Sequence, residues 1–158
     1  MTSVATTLTM PTDREIVITR VFDAPRRLVF EAISKPEHVT RWWGPKYLTM
    51  VSCEMDFRPG GGWRFILRGP DGADFGFRGE YREITPPERI VQTFEFEGMP
   101  GHISLETATL EEKDSKTKLT VTCLYQSVED RDGHYNSGME AGMNESHNRL
   151  AELLSKMG

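Results

Sequence analysis

Few side chains in this sequence are of the types that move protons or hold metals, and their spacing limits what they do. The four histidines, His38, His102, His134 and His147, are scattered. His134 and His147 stand thirteen positions apart, on different sides of a helix, and make no metal pair; no group of His, Cys and carboxylate has zinc spacing. Cys53 and Cys123 lie in separate strand-like runs without paired spacing and read as two buried thiols of a reducing compartment. Glu80 and Glu106 also fall in strand-like runs, where a buried carboxyl would work as general acid or base. Alternation turns Glu80 outward to water, whereas the weak pattern around Glu106 leaves its side open. Gln92 shares a face with Ile90 and Phe94. It is an inward polar group that requires a hydrogen-bond partner or a bound ligand. There is no G-x-S-x-G elbow. The run Gly60-Gly61-Gly62 precedes a strand rather than a helix, so it is a turn and not a phosphate cradle. No catalytic constellation emerges, and neither a metal nor a cofactor is expected.

The elements that must position these residues are legible in the hydrophobic pattern. Near the C-terminal end, Tyr135, Met139, Met143, Leu150, Leu153, Leu154 and Met157 fall on one side of a 3.6-residue helix. Asn144, Glu145, Asn148, Glu152 and Ser155 fall on the other. Ser127 with Asp130 and Ser137 with Glu140 read as capping boxes. The helix therefore starts near Val128 and bends at Gly133, or starts afresh at Gly138. So broad a stripe needs a large apolar surface, and the preceding chain supplies one. Residues 14–22 alternate as a β-branched strand. Pro25 opens a short helix with a stripe of Leu28, Val29, Ala32 and Ile33, and residues 36–41 form a second. Alternating runs then follow between 48 and 126, parted by turns such as Gly69-Pro70-Asp71-Gly72, which makes successive strands antiparallel neighbours. In the first of these runs Val51, Cys53, Met55 and Phe57 share the inward face.

The expected fold is α+β: one curved antiparallel sheet of about seven strands wrapped round a long C-terminal helix, with two short helices between the first two strands. Residues 1–13 read as a flexible tail and 14–158 as the domain. A sheet curled round one helix leaves space on its concave side. Phe57, Trp63, Phe65, Phe77, Tyr81 and Phe94 point there, with Gln92 among them and Trp43 at an opening. The helix offers Tyr135, Met139 and Met143 to the same space. Together they would line a site for a small apolar or aromatic ligand, or pack against one another as core.

Six stretches carry a resemblance to a known family. They are Phe22-Asp23-Ala24-Pro25 with Val29-Phe30, Trp42-Trp43-Gly44-Pro45, Asp56-Phe57-Arg58-Pro59-Gly60-Gly61, Gly79-Glu80-Tyr81, Pro86-Pro87-Glu88-Arg89-Ile90-Val91, and Ser137-Gly138-Met139-Glu140-x-Gly142. In this order and spacing the chain, from about Arg14 to Met157, resembles the Aha1-like (activator of Hsp90 ATPase homologue) branch of the START/Bet v 1 superfamily. That superfamily is also called SRPBCC or helix-grip. The resemblance implies a deep hydrophobic cavity between the sheet and the last helix, where members bind lipids, hormones or aromatic polyketides. A few members catalyse cyclisation or hydration there, and such a reading would draw on Tyr81, Tyr125, Glu106 or His147. The name of the branch implies an Hsp90-type chaperone as a partner. The matching motifs look structural, and none supplies a catalytic residue.

Composition narrows the partners. A length of 158 residues suits one domain, and a formal charge of −5 with a pI near 5.4 argues against nucleic acid. No lysine or arginine run favours an anionic membrane surface, and no apolar run approaches the ~18 residues of a membrane span. Residues 1–12 lack the basic and apolar regions of a secretory signal, so the expected location is cytoplasmic. A flat edge strand, 14–22 or 48–57, would pair with a second copy to give a homodimer.

Overall fold

The computed structural model describes residues 6–157. Its strands are β1 (Thr7–Thr9), β2 (Glu15–Phe22), β3 (Thr49–Met55), β4 (Gly62–Arg68), β5 (Asp74–Thr85), β6 (Arg89–Phe96), β7 (Ile103–Lys113) and β8 (Lys116–Leu124). They form one antiparallel sheet in the order β1-β2-β8-β7-β6-β5-β4-β3. Two short helices, α1 (Arg26–Ser34) and α2 (Pro36–Trp42), separate β2 from β3. The chain closes with α3 (Val128–His134), a π turn (Tyr135–Met139) and α4 (Glu140–Met157). This is the expected helix-grip arrangement with one more strand than the alternation suggested.

The added strand is β1, inside the stretch expected to be a flexible tail. Thr7, Leu8 and Thr9 pair with Thr19, Ile18 and Val17. Leu8 packs with Ile16 and Ile18, and Thr6 is buried beside α4. The Thr6 backbone N–H donates to Asn144 Oδ1 at 3.2 Å, and its hydroxyl lies 2.8 Å from His147 Nδ1. Three residues are too few for alternation to register, so the strand is made by these tertiary bonds. Residues 1–5 of the expected tail lie outside the described residues. β1 also corrects one candidate dimer edge: residues 14–22 are flanked by β1 and β8, while β3 is the outermost strand at the far side.

A bulge accounts for a second correction. The β3–β4 register shifts between Met50 and Ser52. One extra residue reverses the facing of what precedes it. Met50 therefore packs against the core, and Val51, expected inward, is 43% exposed.

α4 lies on the inner face through Leu150, Leu153 and Leu154, packed with Phe22, Val29, Val39 and Trp42. It also holds the turn after α2. The Gly44 N–H donates to Ser146 Oγ at 3.0 Å, and Arg149 Nη1 donates to the Gly44 carbonyl at 2.8 Å. Gly44 has φ of 94°, which a side chain would resist.

His147, expected at the edge of the helix stripe, is instead 2% exposed, with its ring edge-on to Phe22 at 5.6 Å. Burial, with a lesser contribution from the Arg20 charge, lowers its pKa from 6.5 to about 4. Between those values the unfolded chain binds a proton that the folded chain refuses, so stability falls as pH falls. His147 alone should remove about 2 kcal/mol by about pH 5. His147→Phe should flatten that acid limb in urea titrations; an unchanged slope would contradict the assignment.

Candidate functional site

Register fixes the floor of the site. Tyr81 pairs with Gln92, Gln92 with Glu106, Glu106 with Cys123, and Cys123 with Ile16, one row running across five strands. Directly paired residues share a face of the sheet. Cys123 and Ile16 are 0% exposed and Tyr81 is 2% exposed, so the row faces inward and takes Glu106 with it. Tyr125, two positions beyond Cys123, continues the same face; its N–H donates to the Arg14 carbonyl at 2.8 Å.

The C-terminal helical run forms the roof. Ser127 caps it, its hydroxyl accepting from the Asp130 N–H at 3.1 Å, as the capping box predicts. The run does not break at Gly133. It passes through the π turn and kinks at Gly138, where φ is 89°. Such turns offset the side chains on either side of them. Here His134 falls over the sheet before the turn and Met139 at its end. His134 Nδ1 lies 2.6 Å from Tyr125 Oη, and its ring stacks on Phe94 with centroids 5.9 Å apart. Met139 Sδ is 4.0 Å from the same hydroxyl. Tyr135 and Met143 pack around Ile16, Ile18, Cys123 and Tyr125.

A polar string therefore crosses an apolar surface. The Cys123 thiol donates to Glu106 Oε2 at 3.7 Å and also neighbours the Tyr125 side chain, which in turn meets His134. Burial raises the Glu106 pKa from 4.5 to about 7, opposed only by the thiol hydrogen bond. Burial also pushes the Cys123 thiol and the Tyr125 phenol up and His134 down. Thiol, phenol and imidazole are thus neutral near pH 7 while Glu106 is close to half ionised. Glu106 and Gln92 are both half-buried. Among the described residues the second Glu106 oxygen and the Gln92 carboxamide have no hydrogen-bond partner in the protein, yet neither is sealed from solvent.

The remaining residues proposed from sequence fall into two groups. Trp43, Phe57, Trp63, Phe65, Phe77 and Tyr81 form an aromatic block under α1 and α2. Trp43 stands edge-on to Phe65 and Phe77 at 5.0 and 5.2 Å, and Phe57 edge-on to Tyr81 at 5.0 Å. Tyr135, Met139 and Met143 sit over β2 and β8 instead. Phe94 joins the groups, 5.8 Å from Phe77 and stacked on His134, with Gln92 one inward position away. His134 and Cys123 did not stand out in the sequence. The signal for Cys123 lay in its inward alternation with Val121 and Tyr125; that for His134 lay in the Ser127 cap, which sets the helical phase before the π turn.

Elsewhere, a depression of about 480 Å³ opens on the outer face of the sheet around Arg64, Arg78 and Glu95. Its arginines are already paired, Arg78 with Glu95 at 3.1 Å and Arg64 with Glu97 at 2.7 Å. Among the described residues no group of three or more His, Cys, Asp or Glu is placed to hold a metal ion, and no helix is long and apolar enough to cross a membrane.

Comparison with known proteins follows the same lines. The family described as "Activator of Hsp90 ATPase homolog 1-like protein" matches residues 23–155. A crystal structure of a protein from Rhodobacter sphaeroides superposes with a TM-score of 0.91 at 23% identity, covering 96% of this chain and 99% of that one. Protein Ms6760 from Mycobacterium smegmatis gives 0.85 at 24% identity, covering 96% and 97%. A protein from Silicibacter pomeroyi that bears the family's name gives 0.76 at 19% identity, covering 91% and 99%. At these identities the likeness establishes the fold. Comparison with curated proteins gave no match.

Proposed function

The chain belongs to the family of activator of Hsp90 ATPase homolog 1-like proteins, and from that premise we propose that it binds a small apolar or aromatic molecule between its sheet and C-terminal helical run. The observation that carries this reading is the open pair Gln92 and Glu106. Two polar side chains stand side by side on an apolar inner face with hydrogen-bonding capacity that the protein leaves unused. Neither group is sealed from solvent, so the cost of about 1–3 kcal/mol for an unpaired polar group falls on a ligand that covers them without bonding to them, and spares one that does. A bound molecule would complete the pairing. Phe94, one inward position from Gln92, and Tyr135, Met139 and Met143, which pack about Cys123 and Tyr125, offer flat and adaptable apolar surfaces.

The neutral dye N-phenyl-1-naphthylamine tests this directly. It should brighten on binding the protein. Phe94→Glu, which sets a charge beside His134, should weaken binding about a hundredfold while the far-ultraviolet circular dichroism stays unchanged. Dye binding of equal strength in the variant would place the dye elsewhere and overturn the reading. Native mass spectrometry of the gently purified protein should show a bound species of a few hundred daltons, on the order of a drug-sized ligand, that is lost on denaturation.

A further inference from the structure

We propose that the concave site selects uncharged aromatic molecules that carry a hydroxyl donor, with the open oxygen of Glu106 receiving that donor, and that it rejects carboxylates of the same shape. This deepens the function proposed above and rests on it.

Three observations carry the inference. The first is directional. The Cys123 thiol occupies Glu106 Oε2, so the carboxyl is held from one side and its other oxygen is left without a partner among the described residues, still open to solvent. Cys123 is itself completely buried, which fixes that orientation. The second is the neighbourhood. Gln92 is the direct cross-strand partner of Glu106 and has both a donor and an acceptor free among the described residues. A hydroxyl bound to Glu106 therefore finds an amide N–H for its own oxygen, and both lone-pair and proton are satisfied. The third is charge. The groups that bear on Glu106 are Gln92 from β6, Cys123 from β8 and Tyr125 just beyond that strand, with His134 of α3 reached through Tyr125. Burial keeps the thiol, the phenol of Tyr125 and the imidazole neutral. Among the described residues no cation bears on Glu106: its pKa responds to burial and to Cys123. The inward-facing Arg20 lies four positions along β2 from Ile16, roughly 13 Å away at strand spacing; Asn148 accepts from its Nη1 at 2.7 Å, while its buried Nε has no partner among the described residues. An anionic ligand would meet a carboxylate and no counter-ion, in surroundings that amplify the repulsion. The rings of Phe94 and His134, stacked in parallel, provide a flat wall for the aromatic body.

The selectivity depends on pH with a definite sign. The carboxylate form of Glu106 is the acceptor, and a hydrogen bond to a charged group is worth more than one to a neutral group. Preference for the hydroxyl should therefore rise as pH rises through about 7.

Three naphthalenes of one shape provide the test: 2-naphthol, 2-methoxynaphthalene and 2-naphthoate, titrated calorimetrically against the full chain. At about pH 8, 2-naphthol should bind roughly ten- to a hundredfold more tightly than its methyl ether, and 2-naphthoate should bind more weakly than either. The advantage of the naphthol should shrink to about threefold at about pH 6. In Glu106→Gln the methyl ether should still bind while the preference and its pH dependence disappear. Equal binding of naphthol and methyl ether by the unaltered protein would overturn this inference and leave the ligand site standing. So would a naphthoate that binds most tightly. The pH series on the unaltered protein decides the matter without any variant. Failure of all three probes to bind would overturn the site itself.

Discussion

Gly79→Ala should destabilise the protein by about 3–4 kcal/mol, whereas Gly76→Ala, three residues earlier on the same strand, should cost less than about 1 kcal/mol. The difference lies in what each added methyl meets. At Gly79 a Cβ would stand 1.9 Å from the Thr93 carbonyl oxygen and 2.4 Å from Trp63 Nε1. Here the β5–β6 ladder is interrupted. Arg78 pairs with Glu95 and Tyr81 with Gln92, while side chains take over between them. The Glu80 N–H donates to Thr93 Oγ1 at 2.8 Å, and Trp63 Nε1 donates to the Thr93 carbonyl at 3.2 Å. Trp63 crosses Gly79 to make that bond and is 3% exposed. An alanine cannot be accommodated without moving backbone, or expelling the indole and orphaning a carbonyl. At Gly76 the near atom is Glu97 Oε1, the far end of a flexible side chain, and moving it sacrifices only an exposed ion pair with Arg64. Urea midpoints at constant m-value measure both. Equal losses in the two variants would remove the wedge explanation.

Gly79-Glu80-Tyr81 shows how far the sequence carries. The triplet was visible as a family motif, and alternation placed Tyr81 inward and Glu80 outward, where they are found. The reason for the glycine was not visible, because it depends on Trp63 and Thr93, which are distant in sequence. The same holds across the molecule. Period-two alternation assigned Trp63, Phe65 and Phe94 to the inner face, since local sterics fix that period. It missed Met50 and Val51, because a bulge changes phase without changing composition. Glu106 had no facing of its own: Ser104, Glu106 and Ala108 make a weak alternation, and the residue is turned inward by its pairing with Cys123 and Gln92. His134 was hidden for a different reason. Its position over Phe94 requires α3, the π turn and the sheet together, and no window of sequence contains all three.

Glu106→Gln should make the protein more stable, by about 3 kcal/mol at about pH 8. The sign follows from the direction of the shift. A carboxyl whose pKa rises from 4.5 to about 7 on folding is protonated in the folded chain between those values while the unfolded chain has released its proton. Folding therefore gains protons as pH falls through about 7, and the burden of an ionised, desolvated carboxylate is carried in full above it. Glutamine keeps the shape, can accept from the Cys123 thiol through its carbonyl oxygen, and has no charge to bury. Its advantage should fade toward pH 4.5. The effect opposes that of His147, whose proton is refused over much of the same range. The unaltered protein should therefore show a shallow stability profile between about pH 5 and 7, and Glu106→Gln should expose the steeper His147 limb beneath it. A uniform loss of stability at every pH would mean that the carboxylate is well paired inside the fold. A gain confined to high pH would mean that the fold carries a destabilising charge at the centre of its inner face, where glutamine would serve packing better. That arrangement is expected of a residue kept for what it binds, because strain and unpaired polarity persist where they serve a ligand.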